Sequence, residues 1–178
     1  MTFPQRAIGA ARLEIPVFED VEADRTATTQ ALLVVVLSSL AAGIGLTSDL
    51  YNAPVLHRVM LALLLWVFWA VSTYIVGVYL VPEPQTRADV GELLRTIGFA
   101  ASPGILRILG MLPVVGGTIY IASTLWMLVA MVIAVRQALD YKSTTRAVLV
   151  CVITGVIAVV VSALAGALLF VLVEEVVS

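Results

Sequence analysis

Long apolar runs separated by short polar stretches set the organisation of this chain. From Thr28 to Leu46 no charge interrupts the sequence, and about 19 residues rising roughly 1.5 Å each cover the roughly 30 Å hydrocarbon core of a bilayer. A second uncharged run, Val59 to Val81, is rich in Leu, Val and aromatics, Trp66, Trp69, Tyr74 and Tyr79 among them. The third, Leu93 to Leu112, is apolar enough to enter lipid but carries Arg95, Arg107 and the helix-breaking Ser102-Pro103-Gly104. Pro113, Gly116 and Gly117 form a breakpoint before a fourth run, Thr118 to Val135, and Ala147 to Val173 is long enough to span with tilt. The pattern predicts an all-α, polytopic transmembrane helix bundle of five membrane helices near 28–46, 59–81, 93–112, 118–135 and 147–173. The third of these is expected to be short or kinked at Pro103 and Gly104, crossing the bilayer or re-entering it.

The connections are polar. "TSDLYNAPVLHR" holds the turn formers Asp49, Asn52 and Pro54, with Tyr51 suited to the headgroup level. "PEPQTRADVGELLR" and "RQALDYKSTTR" supply the other charged loops. Residues 1–27 read as a separate amphipathic segment. Ile8, Ala11 and Ile15 share a helical face apart from Arg6 and Arg12, a pattern suited to the membrane surface. Pro16 can open a new helix, because its missing N–H is not needed in the first turn; Val17, Phe18 and Val21 then alternate with acids, and this helix is expected to run straight into the first span. Residues 28–178 form the membrane domain.

Composition sharpens the picture. The chain of 178 residues is 61% hydrophobic and 12% charged, whereas soluble domains carry about a quarter charged residues. A net charge of −2 with scattered Lys and Arg gives no footprint for nucleic acid. The single cysteine, Cys151, lies inside an apolar run, where a thiol is ordinarily inert packing. The N-terminus lacks the short apolar core and cleavage site of a secretory signal, so insertion is expected to rely on the first span.

Basic residues orient the spans. With five crossings, Arg6, Arg12, Arg25, Arg87, Arg95, Arg136, Lys142 and Arg146 fall on one side, leaving Arg58 and Arg107 near the other. Basic loops resist translocation, so the N-terminus is expected in the cytoplasm of a bacterial cell, with the protein in its inner membrane and the C-terminus outside. A re-entrant third segment would instead put Arg136, Lys142 and Arg146 opposite the other basic residues, so five spans are favoured over four.

"GFAASPGIL" from Gly98 to Leu106, then "LPVVGG", Trp126, "VRQALDY" from Val135 to Tyr141 and "TTRAV", in this order and spacing, resemble the bacterial branch of the Yip1-domain family. The likeness covers the last four spans, and "EADRTATTQAL" is also similar to bacterial members. It implies five membrane helices and a cytoplasmic N-terminus. Eukaryotic relatives are associated with Rab GTPases and vesicle traffic; their long N-terminal region is missing here, so the resemblance implies fold rather than that role.

Few residues suggest chemistry. Glu19 with Glu22 (i,i+3) and Asp20 with Asp24 (i,i+4) face the same way in pairs; they are weak candidates for a divalent-cation site or a basic partner, against the plainer reading of a solvated helix end. Arg107 is the most informative charge. Inside an apolar segment it either contacts a lipid phosphate or snorkels to water. Arg136, Asp140 and Lys142 are candidate lipid or partner contacts, with a local ion pair as the alternative. His57 beside Arg58 lacks the partners that metal binding or catalysis needs and reads as an interface residue. Ser39 with Gly43, Thr73 with Gly77, and Ala158, Ser162 and Gly166 are small residues at four-residue spacing, which let helices approach closely in lipid, within the bundle or in a homo-oligomer.

No nucleophile with its base, carboxylate pair or metal set lies in the spans, and no Asp or Glu lies in the apolar cores, where pumps keep them. The expectation is a non-enzymatic protein without cofactor. Its expected role is a scaffold or adaptor organising membrane lipids or partner membrane proteins. The alternative is passive movement of lipid or a small solute through a cavity beside the kinked third segment.

Overall fold

The computed structural model describes residues 1–45 and 55–177. The expected turn at Asp49, Asn52 and Pro54 lies outside them, and Ser162 and Gly166 lie in a stretch whose side chains are likewise outside the description. The described chain is all-helical: α1 (Phe3–Ala11), α2 (Ile15–Ala23), α3 (Ala27–Gly45), α4 (Val55–Ile75, ending in a π turn, Val76–Leu80), α5 (Val90–Ala100, continued by a 3-10 segment, Ser102–Met111), α6 (Gly116–Ala138) and α7 (Thr144–Val177). Five stretches are long and apolar enough to cross a membrane: Ala27–Gly45, Val59–Leu80, Val90–Met111, Gly116–Ala138 and Thr144–Val161. The third is therefore long enough to cross.

The spans alternate in direction. α1, α2, the 81–89 connection and the 139–143 turn gather at one end, here the near end, and the turn between the 3-10 segment and α6 lies at the far end.

The third span is the centre of the bundle. It is 61% buried, against 17–33% for the other four, and has the lowest mean hydropathy, 1.2 against 1.8–2.3. These two facts have one cause: a helix screened from lipid by its neighbours can carry Arg95, Thr96 and Ser102, whereas the outer helices must be apolar all round. At Ser102-Pro103-Gly104 the helix tightens rather than simply kinking. Pro103 has no N–H for an α-helical bond, and the Gly104 N–H turns to the Ala101 carbonyl three residues back, at 2.9 Å. Ten residues of 3-10 helix make an unusually long run. At about 2 Å per residue they add roughly 20 Å to α5, enough for the span as a whole to cross.

Glycines let the thin 3-10 segment wedge between α3 and α6. A Cβ at Gly98 would stand 2.7 Å from the Ala31 Cβ of α3. One at Gly104 would run into the Ser38 hydroxyl on α3 and reach 2.5 Å from the Met127 sulfur on α6. One at Gly45 would overlap the Arg107 carbonyl, and one at Gly116 the Gly110 carbonyl. Gly117, by contrast, faces open space.

The N-terminal segment docks on the bundle with Ile8 and Ile15 left exposed, and departs from expectation at its junction with the first span. α1 and α2 form a hairpin packed on the near end of the bundle, with Ala10, Val17, Phe18 and Val21 in the same core as Leu93, Phe99 and Val135. α2 also stops short of the first span: Asp24 accepts bonds from the Thr26 N–H (2.9 Å) and hydroxyl (2.6 Å), a local turn that competes with helix.

Candidate functional site

Arg6 holds the hairpin together. It is only 4% exposed, and its guanidinium donates to Asp20 (2.7 Å), Asp24 (2.7 Å) and Gln30 of α3 (3.1 Å). The i,i+4 carboxylates that suggested a cation site thus face an arginine of their own chain. Bonds from the Thr26 hydroxyl and from Arg6 lower the Asp24 carboxyl to about 2. Glu19 accepts from the Gln137 amide at 3.2 Å. Among the described residues no three His, Cys, Asp or Glu side chains gather as a metal site.

A second buried arginine docks the hairpin from the other side. Arg95, 5% exposed, donates to the Val21 and Glu22 carbonyls at 3.0 and 3.1 Å, and its second nitrogen also donates to Glu22. A guanidinium on the last carbonyls of α2 is favourable for both the orphan acceptors and the helix dipole. The Glu22 carboxyl is raised from 4.5 to about 7, first by burial, then by Asp140 and Glu92 nearby, with Arg95 opposing.

The two near-end loops are laced together. The Tyr141 hydroxyl donates to the carbonyls of Gly77 (2.9 Å) and Val81 (2.7 Å) at the π turn, and burial, followed by Glu83, raises it to about 12. Glu83 accepts from the N–H groups of Lys142 (3.1 Å) and Ser143 (3.3 Å) just ahead of α7. Burial alone would raise its carboxyl, but these bonds, the Gln85 amide and Arg146 hold it below its ordinary value. Of the candidate headgroup contacts, Arg136 donates to the Tyr141 carbonyl at 3.3 Å, Asp140 takes a left-handed turn conformation (φ 53°) and accepts on its carbonyl from Gln85 at 3.0 Å, and Lys142 offers its backbone. All three help close the α6–α7 turn.

Arg107 stands elsewhere, on the wall of a cavity of about 410 Å³. α3 contributes Val35, Ser38, Ser39, Ala42 and Gly43; α4 contributes Leu61, Ala62, Leu65, Trp66 and Trp69; Ile97, Ala101 and Arg107 come from the third span, and Tyr120, Met127 and Met131 from α6. Two of the small residues singled out in the sequence, Ser39 and Gly43, thus line space rather than a tight seam. Trp66 is fixed by its indole N–H on the Leu94 carbonyl, 3.1 Å. The Arg107 guanidinium lies over the Tyr120 ring, 5.3 Å from its centroid. Among the described residues lining it the cavity has no Asp, Glu, His or Cys.

A second groove, about 740 Å³, runs between α4 and α7. It shares Leu65 and Trp69 with the first and is otherwise lined by Gly155, Ala158 and valines. Of the other small residues, Thr73 is fully buried, and Gly77 packs on the Leu139 side chain.

Sequence reasoning missed the roles of Arg6, Tyr120 and the glycine seam. The signal for Arg6 was present: Asp20 and Asp24 share a helix face, and a hairpin fold brings α1 onto that face.

An all-helical chain with five helices long and apolar enough to cross a bilayer, enclosing an apolar cavity with one cationic wall, is a multi-pass membrane protein. No family model matches the chain, and no curated protein or solved structure matches it.

Proposed function

We propose that this protein holds a lipid acyl chain in the cavity beside its third span, binding and organising lipid without transforming it. The observation that carries this reading is the cavity itself, whose volume of about 410 Å³ is within the range of small-molecule sites. Its walls are mostly Leu, Ile, Val, Ala, Met and Trp side chains, the surface an acyl chain accepts, with Ser38, Ser39, Tyr120 and Arg107 as the polar positions. Its lining offers no acid, histidine or thiol among the described residues, and the role proposed is one of binding. Of the roles expected from the sequence, a scaffold or adaptor organising lipids or partner proteins and, alternatively, passive movement of lipid or a small solute through a cavity beside the third segment, the cavity supports the handling of lipid that is common to both.

We also propose that the near end faces the cytoplasm of a bacterial cell, because the eight basic residues named above belong to near-end elements and basic segments are retained there. Kinship with the bacterial Yip1-domain family is part of the same proposal, supported by the motifs from Gly98 to Val148 and by a five-span count.

Gentle extraction from the native membrane followed by native mass spectrometry tests the lipid reading. One lipid should remain on the chain, and Ala42→Phe or Ala62→Phe, which fill the cavity from α3 or α4, should release it. A wild-type chain that carries no lipid, or a bound lipid indifferent to both substitutions, would overturn it; a retained protein partner in place of lipid would favour the adaptor role.

A further inference from the structure

We propose that the cavity and the α4–α7 groove are two halves of one site, which takes a two-chain lipid of the far leaflet with one acyl chain on each side of α4; this rests on the lipid-holding reading above. A shared wall is the first argument. Leu65 and Trp69, one turn apart on the same face of α4, line both spaces, so a ridge of two side chains on one helix stands between them. Depth is the second. On α3 the cavity is lined from Val35 to Gly43, eight to sixteen residues beyond the near-end start at Ala27. On α7 the groove is lined from Val152 to Val160, eight to sixteen residues beyond Thr144. Both therefore lie about 12–24 Å from the near end at roughly 1.5 Å per residue. Leu65 and Trp69 fall in the same band, about 22 and 16 Å from Leu80 at the near end. In a hydrocarbon core of roughly 30 Å that band is the middle and the far half, where the tails of the far leaflet run.

The chemistry of the groove says what enters it. Gly155 and Ala158 recess the surface of α7, and a Cβ at Gly155 would stand 3.6 Å from the edge of the Trp69 ring. Val156 and Val159 are exposed and leave the groove open to the bilayer. Its described lining carries no charge, so it accepts hydrocarbon and not a headgroup. A lone tail gains little there over the surrounding lipid, because lipid tails are as apolar as leucine. Linkage changes this: once one chain lies in the cavity, the second is held beside the groove at high effective concentration. A two-chain lipid straddling Leu65 and Trp69 fills both spaces at once, whereas a single-chain lipid fills one.

The test uses the full chain in nanodiscs of phosphatidylcholine containing a known share of its single-chain lyso form, extracted gently and weighed intact with its retained lipid. The headgroup is the same in both, so only the number of chains differs. Relative to the bilayer shares, the wild type should retain the two-chain form about tenfold over the lyso form, a small part of what linking two binding groups can give. Ala158→Phe fills the groove from α7, and Val159→Trp obstructs it from a position that is 70% exposed, where the fold is not at stake. Both variants should still retain lipid, with the preference for two chains largely lost. Retention by the wild type in the bilayer proportion would overturn the two-chain site and leave the lipid-holding reading standing. A preference undiminished in both variants would also overturn it, assigning the effect to the different solubilities of the two lipids. A doubled mass without lipid would overturn it in favour of a second copy of the chain on α7. A wild-type monomer without lipid would remove both readings.

Discussion

Gly104 lies where three elements meet, and adding one methyl group there should be costly. No described glycine has a positive φ, so alanine meets no backbone strain and should even gain about 0.4–1 kcal/mol by restricting the unfolded chain. Against that stands the space available. The new Cβ would collide with the Ser38 hydroxyl, on a residue only 4% exposed, and would lie 2.5 Å from the Met127 sulfur. Met127 can swing aside, whereas the Ser38 hydroxyl has only its other staggered rotamers to turn to, on a residue packed into the bundle. Overpacking of this kind costs about 1–3 kcal/mol, so the net expectation for Gly104→Ala is a loss of roughly 1–2 kcal/mol. Gly45→Ala should cost more, because the atom in its way is the Arg107 carbonyl and backbone does not rotate out. Gly117→Ala, with nothing within 4 Å, should be neutral or slightly stabilising. Reversible unfolding in mixed micelles, followed by tryptophan fluorescence, measures the three. Equal stabilities for Gly104→Ala and Gly117→Ala would refute the wedge of the 3-10 segment between α3 and α6.

The remaining expectations concern the near end and the orientation of the bundle. Burial first, then Asp140 and Glu92, raise Glu22 from 4.5 to about 7, so between those values the folded chain keeps a proton that the unfolded chain has lost. Docking of the α1–α2 hairpin should therefore weaken as pH rises from about 5 to 7 and level off above that; amide protection in 3–23, corrected for the base-catalysed intrinsic rate, should be lower at pH 8 than at pH 5.5, and Glu22→Gln should flatten the difference. Tyr141→Phe removes the hydroxyl shared by the Gly77 and Val81 carbonyls and should cost about 1 kcal/mol, read from the same unfolding experiment. In a Cys151→Ala background, Val114→Cys at the fully exposed far-end turn should react with an impermeant thiol reagent on intact cells, and Gln85→Cys only after lysis; labelling of both from one side would break the five-span topology.

The spans were legible because a bilayer imposes a length and a composition that few other structures share. Their expected limits differ from the observed ones by a few residues, since helices continue into water: α6 runs through Arg136 to Ala138 and α7 begins at Thr144, where capping decides and hydropathy does not. The third span was ambiguous for a physical reason: its arginines and Ser-Pro-Gly break are tolerated because it is central, and centrality is a tertiary fact. The N-terminal helices were legible as amphipathic, and Ile8 and Ile15 stay exposed; that the opposite side, with Arg6, Ala10 and Phe18, docks on the bundle was not legible, because it depends on tertiary bonds of Arg6 and Arg95. Arg107 was flagged from its cost in lipid; Tyr120 beneath it was not, because nothing in the spacing of α6 reports which residue of a facing helix it meets.

The central claim, that the cavity beside the third span is a lipid site, is tested most directly by a high-resolution structure of the chain in nanodiscs of defined phospholipid. An elongated density entering between α3, α4 and α6 and lying against Trp66 and Trp69 is the expected result. A cavity closed by collapse of Trp69 and Met131 onto α3, with no density in it, would contradict the account.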